Sequence, residues 1–438
     1  MTAANIKVIG AGLAGCEAAW QLAEKGICVE LFEMKPQKQS PAHTSPHFAE
    51  LVCSNSFRSN ELTNAVGLLK EEMRRLGSLI IMAADKTRVP AGSALAVDRE
   101  RFASMITEYI SNHHLIKVTK QEITDIPEGH LIIATGPLTS EPLTDKILSL
   151  CPDISMLSFF DSAAPIVTFE SIDTEISYFA SRYSRGDADY INCPMDIEQY
   201  RSFYSELISA EEAQVHGFEK KLVFEGCLPI EVLARRGEDA IRYGPLKPVG
   251  LPDPRTGKEP YAVVQLRKDN TEGTLYNLVG FQTHLKFPEQ KRVFSMIPAL
   301  ENAEFVRYGV MHRNTYLNSP KLLDRYNRLR ADPRISFAGQ ITGVEGYVES
   351  ASSGLLTGLE KAYELLGKPP IDFPAKTAIG ALTLYTSGGA VSDFQPMNIN
   401  FGLIEPLNEK VKGKRNKYLA VSGRSLKIIE EKINENNR

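Results

Sequence analysis

An α/β fold, with a parallel sheet of the dinucleotide-binding kind interrupted by an inserted α+β domain, is predicted by three observations along the 438 residues. The first 33 residues read as a strand, a glycine-rich turn, a helix and a second strand ending in an acid. A buried strand at Leu131–Ile133 runs into Ala134-Thr135-Gly136. A strand over Ile335–Ala338 then leads through Gly339-Gln340 into a helix of small residues. Together these predict a discontinuous cofactor-binding domain over 1–150 and 301–438. The texture changes between them, which predicts an inserted second domain over 151–300.

The opening unit carries most of the information. Lys7-Val8-Ile9 has the apolar run of a buried strand. Gly10, Ala11, Gly12, Leu13, Ala14 and Gly15 follow, and a helix with Ala18, Ala19, Leu22 and Ala23 on its packed side ends at Gly26. Gly10 permits the tight turn, Gly12 lets backbone amides approach a pyrophosphate, and Gly15 lets helix and strand pack closely. The helix N-terminus offers free N–H groups and a positive dipole end. Strand Cys28–Phe32 stops at Glu33, about 20 residues on, where a carboxylate accepts hydrogen bonds from ribose hydroxyls. An acid there disfavours a 2′-phosphate, so NADP is not expected at this site. It does not separate FAD from NAD.

Residues 37–64 are polar and punctuated, too irregular for a long regular element; long ordered loops are often functional. Cys53 sits within them beside Ser54, Asn55, Ser56 and Arg58. A helix over Gly67–Leu76 presents Leu68, Leu69 and Met73. A strand pair is expected over Val89–Val97 around Pro90–Gly92. Asp98 should cap a helix bearing Phe102, Ile106 and Ile110. Gly136 closes a turn of the kind that two-dinucleotide flavoproteins place near the cofactor.

In the inserted region, strands are expected over Phe159–Phe169, Lys221–Gly226, Tyr261–Leu266 and Leu275–Phe281. A helix over Glu198–Glu212 has Tyr200, Phe203, Tyr204 and Leu207 as its stripe. Gly339 and Gln340 then end a strand where many FAD enzymes have Gly-Asp, so a carboxylate-to-ribityl bond is not expected from residue 340. Lys410, Lys412, Lys414, Arg415 and Lys417 form the densest basic run. Such runs usually form a solvated face, but in an acidic chain this one is the candidate phosphate-contacting segment.

Composition limits the possibilities. A net charge of −4 gives no global pull toward nucleic acid. No apolar stretch approaches a membrane span, and the first strand starts too early to leave room for a signal peptide. The six cysteines contain no CxxC pair, as expected of a cytoplasmic protein with reduced thiols. His43, His47 and Cys53 are too loosely spaced for zinc, with no fourth ligand, so no metal is expected. Cys227 is followed by Arg235, Arg236, Arg242 and Lys247, and nearby cations raise a thiol's thiolate fraction. Cys53 has Arg58 close by but no cysteine over residues 54–60, which disfavours a disulfide reductase.

Ten stretches resemble the TrmFO (Gid) family of folate- and FAD-dependent tRNA (uracil-5-)-methyltransferases: VIGAGLAGCEAAWQLAEKG, FEMKP, FAELVCSNSFRSN, NAVGLLKEEMR, PAGSALAVDR, FEGCLPIEVLARRG, YGPLKPVGL, VGFQTHLKFPEQ, FVRYGVMHRNTYLNSP and FAGQITGVEGYVES. They span nearly the whole chain. The related MnmG family shares the glycine fingerprint and a similar FAGQ segment, but carries a long helical C-terminal domain. The resemblance implies a Rossmann-like two-dinucleotide flavoprotein fold, FAD, 5,10-methylenetetrahydrofolate as one-carbon donor, and NADPH or NADH as reductant. It implies Cys227 as nucleophile and Cys53 as a second functional cysteine. The implied target is the T-loop uridine at tRNA position 54, with ribosomal RNA the target of some relatives, and no obligate protein partner. A flavin oxidoreductase acting on a small molecule and a non-catalytic RNA-binding flavoprotein are the competing expectations.

Overall fold

The computed structural model of the chain describes residues 5–40, 42–150, 156–184, 187–213, 228–309, 311–388 and 394–436. The strand expected over Lys221–Gly226, and with it Cys227, lies outside the described residues.

Strand Asn5–Ile9 pairs in parallel with Cys28–Glu33 on one side and with Leu131–Ile133 on the other. The sheet they build has six strands, in the order Arg328–Leu329, Asp332–Phe337, Leu131–Ile133, Asn5–Ile9, Cys28–Glu33, Ile116–Lys120. Only the edge hairpin of Arg328–Leu329 with Asp332–Phe337 is antiparallel. Alternating side chains serve opposite faces. Val8 and Ile132 join one buried cluster, whereas Ile9, Ile133 and Phe337 join another on the far side. The two-sided burial explains why these strands read as continuous apolar runs.

The register decides where a ligand can sit. Ile9 is opposite Ile133, and Ile133 is opposite Phe337. Three strands therefore end level, and Gly10, Ala134–Gly136 and Gly339–Gln340 emerge side by side at the carboxyl edge, where open α/β sheets bind ligands. Helices Leu13–Glu24 and Tyr347–Leu365 cross beside this edge. A Cβ on Gly354 would stand 2.2 Å from the Ala14 carbonyl oxygen, and one on Gly358 would stand 2.7 Å from that of Ala18. Glycine at both places is what lets the two backbones approach so closely.

A second six-stranded sheet is antiparallel, ordered Tyr178–Phe179, Tyr190–Met195, Ala262–Lys268, Leu275–Leu278, Ile166–Thr168, Phe305–Arg307. Its last strand lies past residue 300. Helix Ile197–Ser209 covers it with the expected stripe: Tyr200, Phe203 and Leu207 are buried with Phe281 and Phe294. Asp196 and Gln199 form a capping box at its start.

One expectation changes, and two further segments gain elements that the sequence did not show. The strand expected over Phe159–Phe169 is two strands: Met156–Ser162 pairs with Met311–Leu317, and Ile166–Thr168 enters the second sheet. Pro165, which has no N–H for a ladder, lies at the switch. The polar stretch 37–64 contains strand Ser56–Ser59, paired with Ala94–Val97. The basic run opens a helix, Lys414–Asn436, which packs Val421, Leu426 and Ile429 into the first core.

Candidate functional site

A cavity of about 450 Å³, within the range that small-molecule sites occupy, opens at the carboxyl edge of the parallel sheet. Gly10, Ala11, Gly12, Leu13, Ala14, Glu33, Gly136, Gly339, Gln340 and Cys53 all line it. Gly15, grouped with them in the cofactor-binding fingerprint, does not line it. A Cβ there would meet the Gly10 carbonyl oxygen at 1.8 Å, so Gly15 acts by letting helix and turn pack. Gly10 has φ +97° and would bring a Cβ to 2.7 Å from the Ala134 carbonyl oxygen.

The cradle fits an adenine dinucleotide. Helix Leu13–Glu24 has no side-chain cap and no acid in its first turn. Its first amides and its positive end face the cavity, beside Gly12, whose Cβ position is open space. The Glu33 carboxylate accepts from the backbone N–H of Ala11 at 2.8 Å and of Lys35 at 2.9 Å. These bonds fix the acid at the lip of the turn while each oxygen keeps a lone pair for a hydroxyl. Gly136 has φ +68° and nothing within 4 Å of its Cβ position, so the third strand's turn is also open to a ligand.

The fourth wall comes from the second strand–glycine–helix unit. Gln340 donates through Nε2 to the Glu345 carboxylate at 2.7 Å, and both side chains line the cavity. A carboxylate therefore stands in this wall five residues after position 340. Gly346, with φ +105°, caps helix Tyr347–Leu365, and a Cβ there would lie 2.5 Å from a Glu349 carboxylate oxygen. Glu349, fully buried, pairs with Arg58 and accepts from the Ile399 amide at 3.0 Å. Arg58 lies in the left-handed region at φ +61°. Lys70, also fully buried, donates to the carbonyls of Phe57, Arg58 and Ser59, holding that turn. Burial, then the neighbouring Arg58 and Arg74, bring the Lys70 ammonium down to about 7.

Cys53 is half-buried in the same wall, on a loop fastened from several sides. The Tyr347 hydroxyl accepts from the amides of Cys53 at 2.8 Å and Ser54 at 3.2 Å. Arg99 donates to the carbonyls of Leu51 at 2.6 Å and Cys53 at 3.4 Å, and Arg307 donates to that of Val52. Arg267 reaches from the second sheet to the Ser54 hydroxyl at 2.7 Å and to Asn55 Oδ1 at 3.0 Å. Burial pushes the Tyr347 phenol up, and Cys53 adds to that rise. His43 lies nearby with Nδ1 2.5 Å from the Ser40 hydroxyl, and burial, with Lys35, pushes its pKa down. Among the described residues no group of three or more His, Cys, Asp or Glu is placed to hold a metal ion.

Cys227 lies outside the described residues, but the chain on both sides of its segment is fixed. Glu212 and Glu231 both meet His284, at 2.5 and 2.7 Å. Burial opposes the charge on His284, but the two carboxylates outweigh it and raise the imidazole to about 9. Lys410, Lys412, Lys414, Arg415 and Lys417 are all exposed, and none lines the cavity.

Several cavity residues have no signature of their own in the sequence. Tyr347 and Glu345 were within reach, since both fall in the glycine-rich stretch after Gly339. Arg267 was not: a single arginine in an apolar strand gives no sign that it crosses to a loop more than 200 residues earlier.

A protein-family model described as "Glucose inhibited division protein A" matches residues 5–369. The methylenetetrahydrofolate–tRNA-(uracil-5-)-methyltransferase TrmFO of Acetivibrio thermocellus is 60% identical over 431 residues, covering 98% of this chain and 99% of its own. That of Heliobacterium modesticaldum is 58% identical over 433 residues, covering 99% and 98%. Among solved structures, Aquifex aeolicus GidA in its form II crystal superposes with a TM-score of 0.70 at 17% identity. The match covers 98% of this chain and 73% of that one. At that identity the likeness speaks for the fold alone.

Proposed function

The chain belongs to the glucose inhibited division protein A family and, within it, to the TrmFO group, and from that premise we propose that it methylates C5 of a uridine in tRNA. The one-carbon donor is 5,10-methylenetetrahydrofolate. The cofactor is FAD, reduced by NADPH or NADH, and it supplies the electrons that bring the transferred carbon to the methyl level. The target is the T-loop uridine at position 54, and ribosomal RNA is the other substrate to test. The enzyme works in the cytoplasm without an obligate protein partner; among the described residues no helix is long and apolar enough to cross a membrane.

The observation that carries this reading is the sharing of one cavity by the dinucleotide cradle and Cys53. The Gly10–Ala14 turn and the helix N-terminus behind it would hold the pyrophosphate, and Glu33 would hold the ribose. Gly136, Gly339 and Gln340 leave room along the rest of the cofactor. The region over 151–300 faces substrate and reductant.

C5 of uracil is a weak nucleophile. Addition of the Cys227 thiolate at C6 turns the ring into an enolate that is nucleophilic at C5, which is why the chemistry needs a cysteine there. The C5 proton must later leave, taken by Cys53 or a base it positions, and the C6–S bond then breaks, restoring the C5–C6 double bond and releasing the Cys227 thiolate. A uridine inside a folded loop must be extruded to reach the cavity. The exposed basic run from Lys410 to Lys417 holds the RNA backbone meanwhile.

The test is methyl transfer to unmodified tRNA by wild type, Cys227→Ala and Cys53→Ala. Loss of product in both variants, with flavin absorbance and fold retained, is the expected result. A fully active Cys227→Ala enzyme removes the nucleophile from this reading.

A further inference from the structure

The loop bearing Cys53 lies against more positive charge than the carboxylates around it neutralise. Arg99, from helix Arg99–Asn112, is paired with Asp269, Nε lying 3.0 Å from each carboxylate oxygen. Arg267 is 8% exposed, and its guanidinium ends on neutral acceptors, Ser54 Oγ and Asn55 Oδ1. Asn55 is held for this purpose: its Nδ2 donates to the carbonyls of Val97 at 3.0 Å and Lys268 at 2.9 Å, which aims its oxygen at Arg267. Arg307, from strand Phe305–Arg307, ends on the Val52 carbonyl. Among the described residues neither Arg267 nor Arg307 forms an ion pair. Glu50, the carboxylate that acts on Arg307 after Asp269, is engaged by Lys35 and by the amides of Thr44 and Ser45. The two phenols beside the arginines are committed as well. Tyr347 accepts from the Cys53 and Ser54 amides, and Tyr190, which is hydrogen-bonded to Arg267, donates to the Ala91 carbonyl at 3.2 Å.

A guanidinium cannot shed its proton, and burying it without an anion is costly. Two such groups, one bonded to Val52 and the other to Ser54 and Asn55, flank Cys53 on its loop. From these contacts we infer that Arg267, seconded by Arg307, is a positioning residue that keeps Cys53 as a thiolate in the resting enzyme. The arrangement has two parts. Hydrogen bonds from three arginines, and from the loop's own amides to the Tyr347 hydroxyl, hold residues 51–55, and the surplus positive charge favours the anionic sulfur. Burial works against the charge on Arg99 and Arg267; Asp269 favours it on both, Tyr347 on Arg99 and Tyr190 on Arg267, and Cys53 adds to them in each case. A thiolate is the form that can accept a proton, so the inference deepens the proposed function, on which its catalytic meaning rests.

The experiment reads the sulfur directly. The flavin-loaded full-length protein is alkylated with iodoacetamide across pH 5.5–10, and modification is followed by mass on tryptic peptide 39–58, whose single cysteine is Cys53. The wild-type midpoint should lie at least about one unit below the ~8.5 of an unperturbed thiol. Arg267→Gln should raise it by about one unit, Arg267→Lys should restore most of the shift by returning the charge without the fork, and Arg307→Gln should raise it less. A wild-type midpoint at or above 8.5, or an Arg267→Gln midpoint equal to wild type, overturns the inference. If Arg267→Gln loses its flavin, Arg307→Gln decides: an unchanged midpoint is then the overturning result. A low midpoint in an enzyme that fails to methylate tRNA would sink the proposed function and leave the inference standing.

Discussion

At the scale of single residues, one methyl group is more than the cradle can accept. A Cβ on Gly15 would be 1.8 Å from the Gly10 carbonyl oxygen, and one on Gly354 would be 2.2 Å from that of Ala14; both obstacles are backbone. Gly15→Ala should purify with less than about a tenth of the wild-type flavin, read as absorbance per protein, because the turn must shift by more than an ångström to admit it. Gly354→Ala should destabilise the fold by about 2–4 kcal/mol in urea unfolding, by parting the two helices. The glycines were legible in the sequence because backbone geometry leaves a local trace: Gly10, Gly12 and Gly15 sit at set distances from a strand and a helix. The charge cluster behind Cys53 leaves none. Its arginines come from positions 99, 267 and 307, and only folding brings them to one loop.

At the scale of elements, this chain ties helices down with buried carboxylates from elsewhere. Glu17 accepts from the Ser78 hydroxyl at 2.7 Å and the Ile80 amide at 2.9 Å, at the start of helix Leu79–Lys86. Glu72 accepts from the amides of Ala378 at 2.7 Å and Ile379 at 2.8 Å, at the start of helix Ala378–Ser387. Burial raises the Glu72 carboxyl to about 7 even against these bonds. Glu72→Ala should cost roughly 2–4 kcal/mol by orphaning two buried amides, and amide exchange should speed up first at Ala378 and Ile379.

The His284 tie has a pH signature. Its folded pKa of about 9 lies above the unfolded 6.5, so its contribution is complete below pH 6.5 and is lost as pH rises through 9. Wild type should lose about 2–3 kcal/mol more than His284→Gln between those limits in denaturant unfolding; parallel curves would refute the tie. Local patterning showed most elements, as in helix Arg99–Asn112, where Asp98 caps and Phe102, Ile106 and Ile110 are buried. It failed where tertiary structure decides. One apolar run over Phe159–Phe169 holds two strands because Pro165 interrupts the ladder, and helix Lys414–Asn436 begins in lysines that resemble a solvated tail.

At the scale of the whole molecule, the question is how a chain of net charge −4 holds an RNA. The charge is uneven: Lys410, Lys412, Lys414, Arg415 and Lys417 stand together, exposed, at the start of the last helix. Replacing all five with glutamine should weaken tRNA binding and lower the slope of log affinity against log salt by up to about 4, with flavin content unchanged. An unchanged slope would place the RNA on another face. The parallel sheet was legible because a buried parallel strand ending in glycine looks the same at residues 9, 133 and 337. The boundary of the second sheet was less so, since strand Phe305–Arg307 joins it from beyond residue 300.

The most direct measurement follows a labelled carbon. Purified protein, NADPH, an unmodified tRNA transcript and methylenetetrahydrofolate labelled at the methylene carbon are incubated, and the tRNA is digested to nucleosides. The account predicts label in 5-methyluridine from position 54, dependent on the folate and abolished by Cys227→Ala. Label that never enters the tRNA, or methylation that proceeds from S-adenosylmethionine without folate, would contradict it.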